Sequence, residues 1–173
     1  MSTLILGGAR SGKSRLAESL AQQSGQRVIY IATATRGDGE MSARIQHHRA
    51  SRPAHWLTVE QPIALASTLK QHATSDSCLL VDCLTLWLSN LLCADDAALF
   101  ARERKALFDA LPQLPGQLLL VSNETGLGVV PMGALTRQFV DEAGLLHQQL
   151  AAHSERVIFS IAGLPMVLKG QPL

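Results

Sequence analysis

The segment Gly7-Gly8-Ala9-Arg10-Ser11-Gly12-Lys13-Ser14 follows directly on the apolar run Thr3 to Leu6 and leads straight into an amphipathic stretch. Its spacing is G-x-x-x-x-G-K-[ST], the phosphate-binding P-loop, and the order strand, tight turn, helix is the context that pattern requires. The glycines let successive backbone N–H groups face one anion, and the following helix adds the positive end of its dipole. Lys13 reaches the β and γ phosphates, and Ser14 takes Mg²⁺. With Gly at ~7% of residues, roughly one chain of this length in a hundred or fewer would match by chance. Correct placement between an apolar and an amphipathic run decides for an enzyme that binds a nucleoside triphosphate.

The rest of the chain must build a sheet around that loop. Strand-length apolar runs recur at Thr3 to Leu6, Arg27 to Thr33, Trp56 to Glu60, Ser77 to Val81, Gln117 to Ser122 and Arg156 to Ile161, with a short further strand at Met166 to Leu168. Between them, helical periodicity is expected over Lys13 to Gln23, Glu40 to Arg49, Ile63 to His72, Leu84 to Leu92, Ala97 to Leu111 and Met132 to Ala152. Alternation of this kind predicts an α/β, P-loop NTPase-like fold: a largely parallel sheet flanked by helices on both faces, in one domain spanning residues 1–173. Two loop-like segments, Ala34 to Glu40 and Asn123 to Pro131, should follow strand C-terminal ends, the edge where such sheets bind ligands.

Composition narrows the partners. A hydrophobic content of 47% in 173 residues is enough for a substantial core. Fifteen Lys and Arg against 14 Asp and Glu leave no global field to draw nucleic acid or an anionic membrane. No apolar run approaches the ~18 residues of a membrane span, so a soluble, cytoplasmic protein is expected. Cys78, Cys83 and Cys93 form no C-x-x-C pair and read as reduced core thiols.

Two further clusters carry chemistry. Leu79-Leu80-Val81-Asp82 places an acid at a strand end, where it can hold the magnesium shell; the bland alternative is a cap for the Leu84 helix. Three of six histidines and three arginines fall between Arg44 and Trp56. His47 and His48 diverge by about 100° on a helix, and no Cys or carboxylate follows at a zinc-ligand spacing. A neutral imidazole among arginines could instead attack a phosphorus atom and form a phosphoramidate. Spacing does not choose between His47 and His48, nor between that role and exposed helix histidines.

The motifs taken together resemble a known family. The residues are Gly7 to Ser14, Tyr30-Ile31-Ala32-Thr33, Glu40-Met41 with Arg44-Ile45 and His47, Arg52-Pro53, and Trp56 with Thr58 and Glu60. Asp82-Cys83-Leu84-Thr85-Leu86-Trp87-Leu88-Ser89-Asn90 and Ser122-Asn123-Glu124 with Gly126, Gly128 and Pro131 complete the set. In this order they are similar to the bifunctional adenosylcobinamide kinase/adenosylcobinamide-phosphate guanylyltransferases of cobalamin biosynthesis, over essentially the whole chain. The resemblance implies phosphorylation of the aminopropanol hydroxyl of adenosylcobinamide with ATP or GTP. GMP from GTP then passes to that phosphate, with release of pyrophosphate, through a covalent histidine intermediate at His47.

The same resemblance implies nucleotide contacts from Gly7, Gly8, Ala9, Arg10, Ser11, Gly12, Lys13 and Ser14. Others would come from Thr33, Ala34 and Thr35, from Ala50, Ser51, Arg52 and Pro53, and from Glu60 and Asp82. Lys13 joins His47 as a catalytic residue, and the implied assembly is a homotrimer. Two positions depart from the pattern: His147 stands where Asn is expected and Thr125 where Val is expected, both on the late loop and helix. No N/T-K-x-D element is present to read guanine, so base preference follows from the resemblance alone. A small-metabolite P-loop kinase without guanylyl transfer is the competing reading, and a nucleotide-gated binding module with Leu84 to Leu92 as its partner surface is a third, although that stripe reads first as core or subunit interface.

Overall fold

The computed structural model describes residues 1–35, 53–94, 96 and 98–173. The helix expected over Glu40 to Arg49 lies outside them.

Among the described residues seven strands form one sheet: β1 (Ser2–Gly7), β2 (Arg27–Ala32), β3 (Leu57–Glu60), β4 (Ser77–Asp82), β5 (Gln117–Asn123), β6 (Arg156–Ile161) and β7 (Leu164–Lys169), in the order β3-β2-β4-β5-β1-β6-β7. Every pairing is parallel except β6 with β7. Strands buried on both faces read as continuous apolar runs rather than alternating ones, which is why Leu4-Ile5-Leu6 and Leu118-Leu119-Leu120-Val121 were legible as strands.

The helices among the described residues are α1 (Lys13–Gln23), α2 (Leu65–His72), α3 (Leu84–Leu92), α4 (Leu99–Ala110) and α5 (Ala134–His153). On one face α1 packs through the small residues Ala17 and Ala21 against Ile5, Leu80, Leu119 and Val121. Alanines four apart share one side of a helix, so α1 can lie close to the sheet. The other face is covered by α2 to α5, whose Leu65, Leu84, Trp87, Leu107 and Leu146 meet Leu4, Ile31, Leu79 and Leu120.

Differences from the expected elements fall at ends and edges. The last strand is longer than Met166 to Leu168 because Ala162 and Gly163, both at positive φ (52° and 80°), close a two-residue hairpin from β6. Cys78 and Cys83 are buried thiols, with Cys78 pushed up to about 11 by burial, but Cys93 is exposed past the end of α3 rather than in the core. The Leu84 to Leu92 stripe is core and not a partner surface: Leu84, Trp87, Leu88 and Leu91 are all buried.

Trp87 fixes α3 to the β3–α2 connection. Its ring is fully buried, and its Nε1–H donates to the Ile63 carbonyl at 2.7 Å. Trp87→Ala should lower unfolding stability by about 3–5 kcal/mol through the cavity it leaves. Trp87→Phe should cost about 1–3 kcal/mol through the carbonyl left without its donor. Urea midpoints at a fixed protein concentration measure both; a midpoint unchanged in Trp87→Ala would contradict the packing.

Candidate functional site: a phosphate cradle at the sheet edge

Parallel pairing brings the C-terminal ends of β1 to β6 to one edge, and the phosphate loop curls there between β1 and α1. Gly7 has no room for a side chain: a Cβ would fall 2.5 Å from both Ser11 Oγ and the Ser160 carbonyl. Gly12 turns the chain at φ 94° and Arg10 at φ 56°, and the Ser11 N–H closes the loop on the Gly8 carbonyl at 3.3 Å.

The Ser11 carbonyl is drawn outward by Ser160 Oγ (2.7 Å) and by the Gly163 N–H (2.9 Å), so the β6–β7 turn props the loop from outside. Because a trans peptide sets its C=O and N–H in opposite directions, the Gly12 N–H is aimed back into the loop. Among the described residues no side chain caps α1, and its first turn has no acid. Its leading N–H groups and positive dipole end therefore face the loop, ready for an anion. Lys13 is nearly buried and lies across the loop, with Nζ donating to the Gly8 carbonyl at 3.2 Å. Ser14 is half-buried in the first turn of α1.

Asp82 ends β4, separated from β1 by β5 alone, a span of about 10 Å at ordinary strand spacing. Its Oδ2 accepts the Tyr30 hydroxyl at 2.9 Å, while α3 begins at Leu84 with Cys83 as its N-cap residue, so Asp82 is not the helix cap. Thr33 is fully buried: its hydroxyl donates to the Cys83 carbonyl (2.6 Å) and accepts the Cys83 N–H (3.0 Å), which latches β2 to β4 beside Asp82. Asn90 ties the Thr33 carbonyl to the Pro62 carbonyl at 2.8 and 3.1 Å.

Ala34 is half-buried and Thr35 exposed past β2, and Glu60 is exposed at the end of β3, four strand spacings (~19 Å) from β1. Pro53 is half-buried. His47, Ala50, Ser51 and Arg52 lie outside the described residues. Among the described residues no group of three or more His, Cys, Asp or Glu converges to hold a metal ion.

One constellation escaped sequence reasoning. His147, almost fully buried on α5, places Nε2 2.8 Å from Ser122 Oγ and Nδ1 3.4 Å from Glu124 Oε2. The signal was present as a polar residue on the inward stripe Ala143, Leu146, His147, Leu150 of α5. Burial pushes the His147 pKa below the usual imidazole value, and the Glu124 carboxylate offsets only part of that.

A strand, tight turn and uncapped helix N-terminus at the C-terminal edge of a mostly parallel sheet, with an acid two strands away, define an α/β P-loop NTPase-like protein. A solved structure from Pyrococcus horikoshii OT3 shares this fold, with a TM-score of 0.58 over 99% of this chain and 87% of that one at 9% identity. The chain belongs to the cobinamide kinase / cobinamide phosphate guanyltransferase family, whose sequence pattern matches residues 3–168. It is 65% identical, over the full length of both chains, to the bifunctional adenosylcobalamin biosynthesis protein CobP of Pseudomonas aeruginosa. It is 40% identical to the bifunctional adenosylcobalamin biosynthesis protein CobU of Salmonella typhimurium, over 98% of this chain and all of that one.

The depressed His147 pKa has a consequence for stability. An unfolded histidine titrates near ~6.5, and the folded protein resists that proton, so stability is full above that value and declines as pH falls toward the folded pKa. The thermal midpoint of the wild type should drop more steeply between about pH 7 and pH 5 than that of His147→Asn, which cannot titrate. Parallel melting curves across that range would contradict the burial of a neutral His147.

Proposed function

We propose that this enzyme carries out both reactions of its family within one domain. It phosphorylates the aminopropanol hydroxyl of adenosylcobinamide with ATP or GTP, then transfers GMP from GTP to the new phosphate through a covalent adduct on His47. The observation that carries this reading is the full-length 65% identity to a bifunctional adenosylcobalamin biosynthesis protein, in a chain whose phosphate loop is intact.

In this reading the α1 N-terminus and the N–H groups of Gly8 to Ser14 take the triphosphate, and Lys13 exchanges the Gly8 carbonyl for the β and γ phosphates. Ser14 and Asp82 supply hard oxygen donors, the chemistry that suits Mg²⁺, which keeps several waters and needs few protein ligands. When bound, Mg²⁺ neutralises charge on the phosphates. Tyr30 and the Thr33 latch hold Asp82 in place for that role. Glu60 is too far from β1 to meet the phosphates and is within reach of the base of an extended nucleotide, together with Thr33 to Thr35 and Ala50 to Pro53.

His47 attacks the α-phosphorus and pyrophosphate leaves; the phosphate of the acceptor then displaces His47 and takes the GMP. A phosphoramidate is acid-labile and base-stable, so protein incubated with α-labelled GTP should retain label that mild acid removes, and γ-labelled GTP should leave none. His47→Ala should lose the adduct and still bind GTP, while His48→Ala should keep it. Label persisting in His47→Ala would refute the assignment, and no α-label in the wild type would favour a kinase without guanylyl transfer.

We further propose a cytoplasmic homotrimer. No helix among the described residues is long and apolar enough to cross a membrane. Among the described residues, exposed apolar side chains gather on the Leu127 to Met132 loop, where Val129 and Met132 are each 96% exposed, and on the edge strand β7 through Leu164, Met166 and Leu168. An apolar edge strand of that kind is normally covered. Light scattering should give about three times the 18.6 kDa chain mass, and a monomer at micromolar concentration would contradict it.

A further inference from the structure

A chain of polar groups runs from the β5 backbone to the carboxylate of Glu124, the residue that follows β5. The Asn123 N–H donates to Thr85 Oγ1 at 2.7 Å, Thr85 Oγ1 lies 3.3 Å from Ser122 Oγ, and Ser122 Oγ lies 2.8 Å from His147 Nε2. A backbone N–H can only donate, so Thr85 accepts there, and its own proton can go to Ser122, which can in turn donate to Nε2. The Glu124 carboxylate, with Oε2 3.4 Å from the ring, favours the tautomer that carries the proton on Nδ1. The opposite polarity would set an Nδ1 lone pair against a carboxylate.

Glu124 is held from its other side as well. Oε1 accepts the Gly126 N–H at 2.6 Å, and the Glu124 N–H donates at 3.0 Å to the carbonyl of Gly7, the first residue of the phosphate loop. The side chain stays 19% exposed, whereas Ser122 at 1% is sealed in. Ser122 is therefore no nucleophile, despite its place in a Ser-His-Glu array; the accessible end of the chain is the carboxylate. Next to it, the buried Asn123 Oδ1 finds no hydrogen-bond donor among the described residues. Two acceptors thus belong to the residues that end β5 and follow it, where the backbone is bonded to the first residue of the loop that receives the γ-phosphate, and a hydroxyl substrate has a proton to give.

We propose that Glu124 accepts the hydroxyl proton of the phosphoryl acceptor in the kinase half-reaction, and that His147 is a positioning residue: its buried Nδ1 makes no hydrogen bond among the described residues and lies 3.4 Å from Oε2, an electrostatic contact that orients the carboxylate. The inference rests on the kinase reading above. In the step, the acceptor oxygen forms its bond to the γ-phosphorus while the bond from that phosphorus to the β,γ-bridging oxygen breaks. The leaving electron pair goes to the nucleoside diphosphate, and the hydroxyl proton goes to Glu124, which later loses it to water. The second half-reaction gives Glu124 nothing to do, because its nucleophile is a phosphate oxygen that is already anionic.

That asymmetry supplies the test. Kinase turnover is read with adenosylcobinamide and γ-labelled GTP, and guanylyl transfer with preformed adenosylcobinamide phosphate and α-labelled GTP. Glu124→Gln should lower the kinase kcat by about 10²- to 10⁴-fold, the usual range for a positioned base, with the nucleotide KM and guanylyl transfer held within about threefold. His147→Asn, whose amide N–H replaces Nδ1–H, should keep kinase kcat within about threefold, while His147→Leu should lose about tenfold or more.

A Glu124→Gln enzyme with undiminished kinase turnover, or one that loses both half-reactions equally, would overturn the inference, as would a His147→Leu enzyme with wild-type kinase turnover. Wild-type protein that performs neither half-reaction would instead sink the functional reading itself.

Discussion

The parallel ladder of β5 with β1 on one side and β4 on the other organises the whole site. In a parallel sheet all strands end at the same edge, so the turn after β1, the acid ending β4 and the loop after β5 must open on one surface. Gly7 pairs with Asn123 in that register, and the Glu124 N–H continues the ladder onto the Gly7 carbonyl. A slip in this pairing would separate the phosphate loop from both the Asp82 carboxylate and the Glu124 carboxylate. The fully buried leucines of β1 and β5 hold it, since each of their faces is packed under helices.

Around that frame, polar groups are fixed before any ligand arrives. The Ser11 carbonyl is turned outward by Ser160 and Gly163, Asp82 is held by Tyr30, and Thr33 is bonded both ways to Cys83. Each arrangement removes rotational freedom from a group that must otherwise be ordered when substrate binds. The cradle is complementary to an anion largely through backbone N–H groups, which cannot rotate away. Lys13 is the exception, a flexible arm parked on Gly8.

What the sequence made legible follows locality. The phosphate loop and α1 were read to the residue because the glycines, the Lys-Ser pair and the amphipathic run are contiguous. The buried parallel strands were legible as apolar runs. The full length of the β6–β7 hairpin is not legible locally, because Ala162 is no turn signal although its backbone adopts positive φ beside Gly163. Leu84 to Leu92 reads as core or subunit interface, and the helix buries Leu84, Trp87, Leu88 and Leu91 in the chain's own core, while the most exposed large apolar side chains sit on the 127–132 loop. The His147 to Ser122 contact spans 25 residues and joins a helix to a strand end, so no local pattern marks it. Only tertiary packing brings Thr85, Ser122, Glu124 and His147 together.

The central claim is that the triphosphate sits in the loop between Gly7 and Ser14 with Lys13 on its terminal phosphates. Calorimetric titration of GTP into wild-type protein and into folded Lys13→Ala, at the same magnesium concentration, tests it most directly. A charge-assisted contact of this kind contributes about 1.5–3 kcal/mol, so the dissociation constant should rise by about 10- to 150-fold in the variant. Equal affinity in the two proteins would contradict the account.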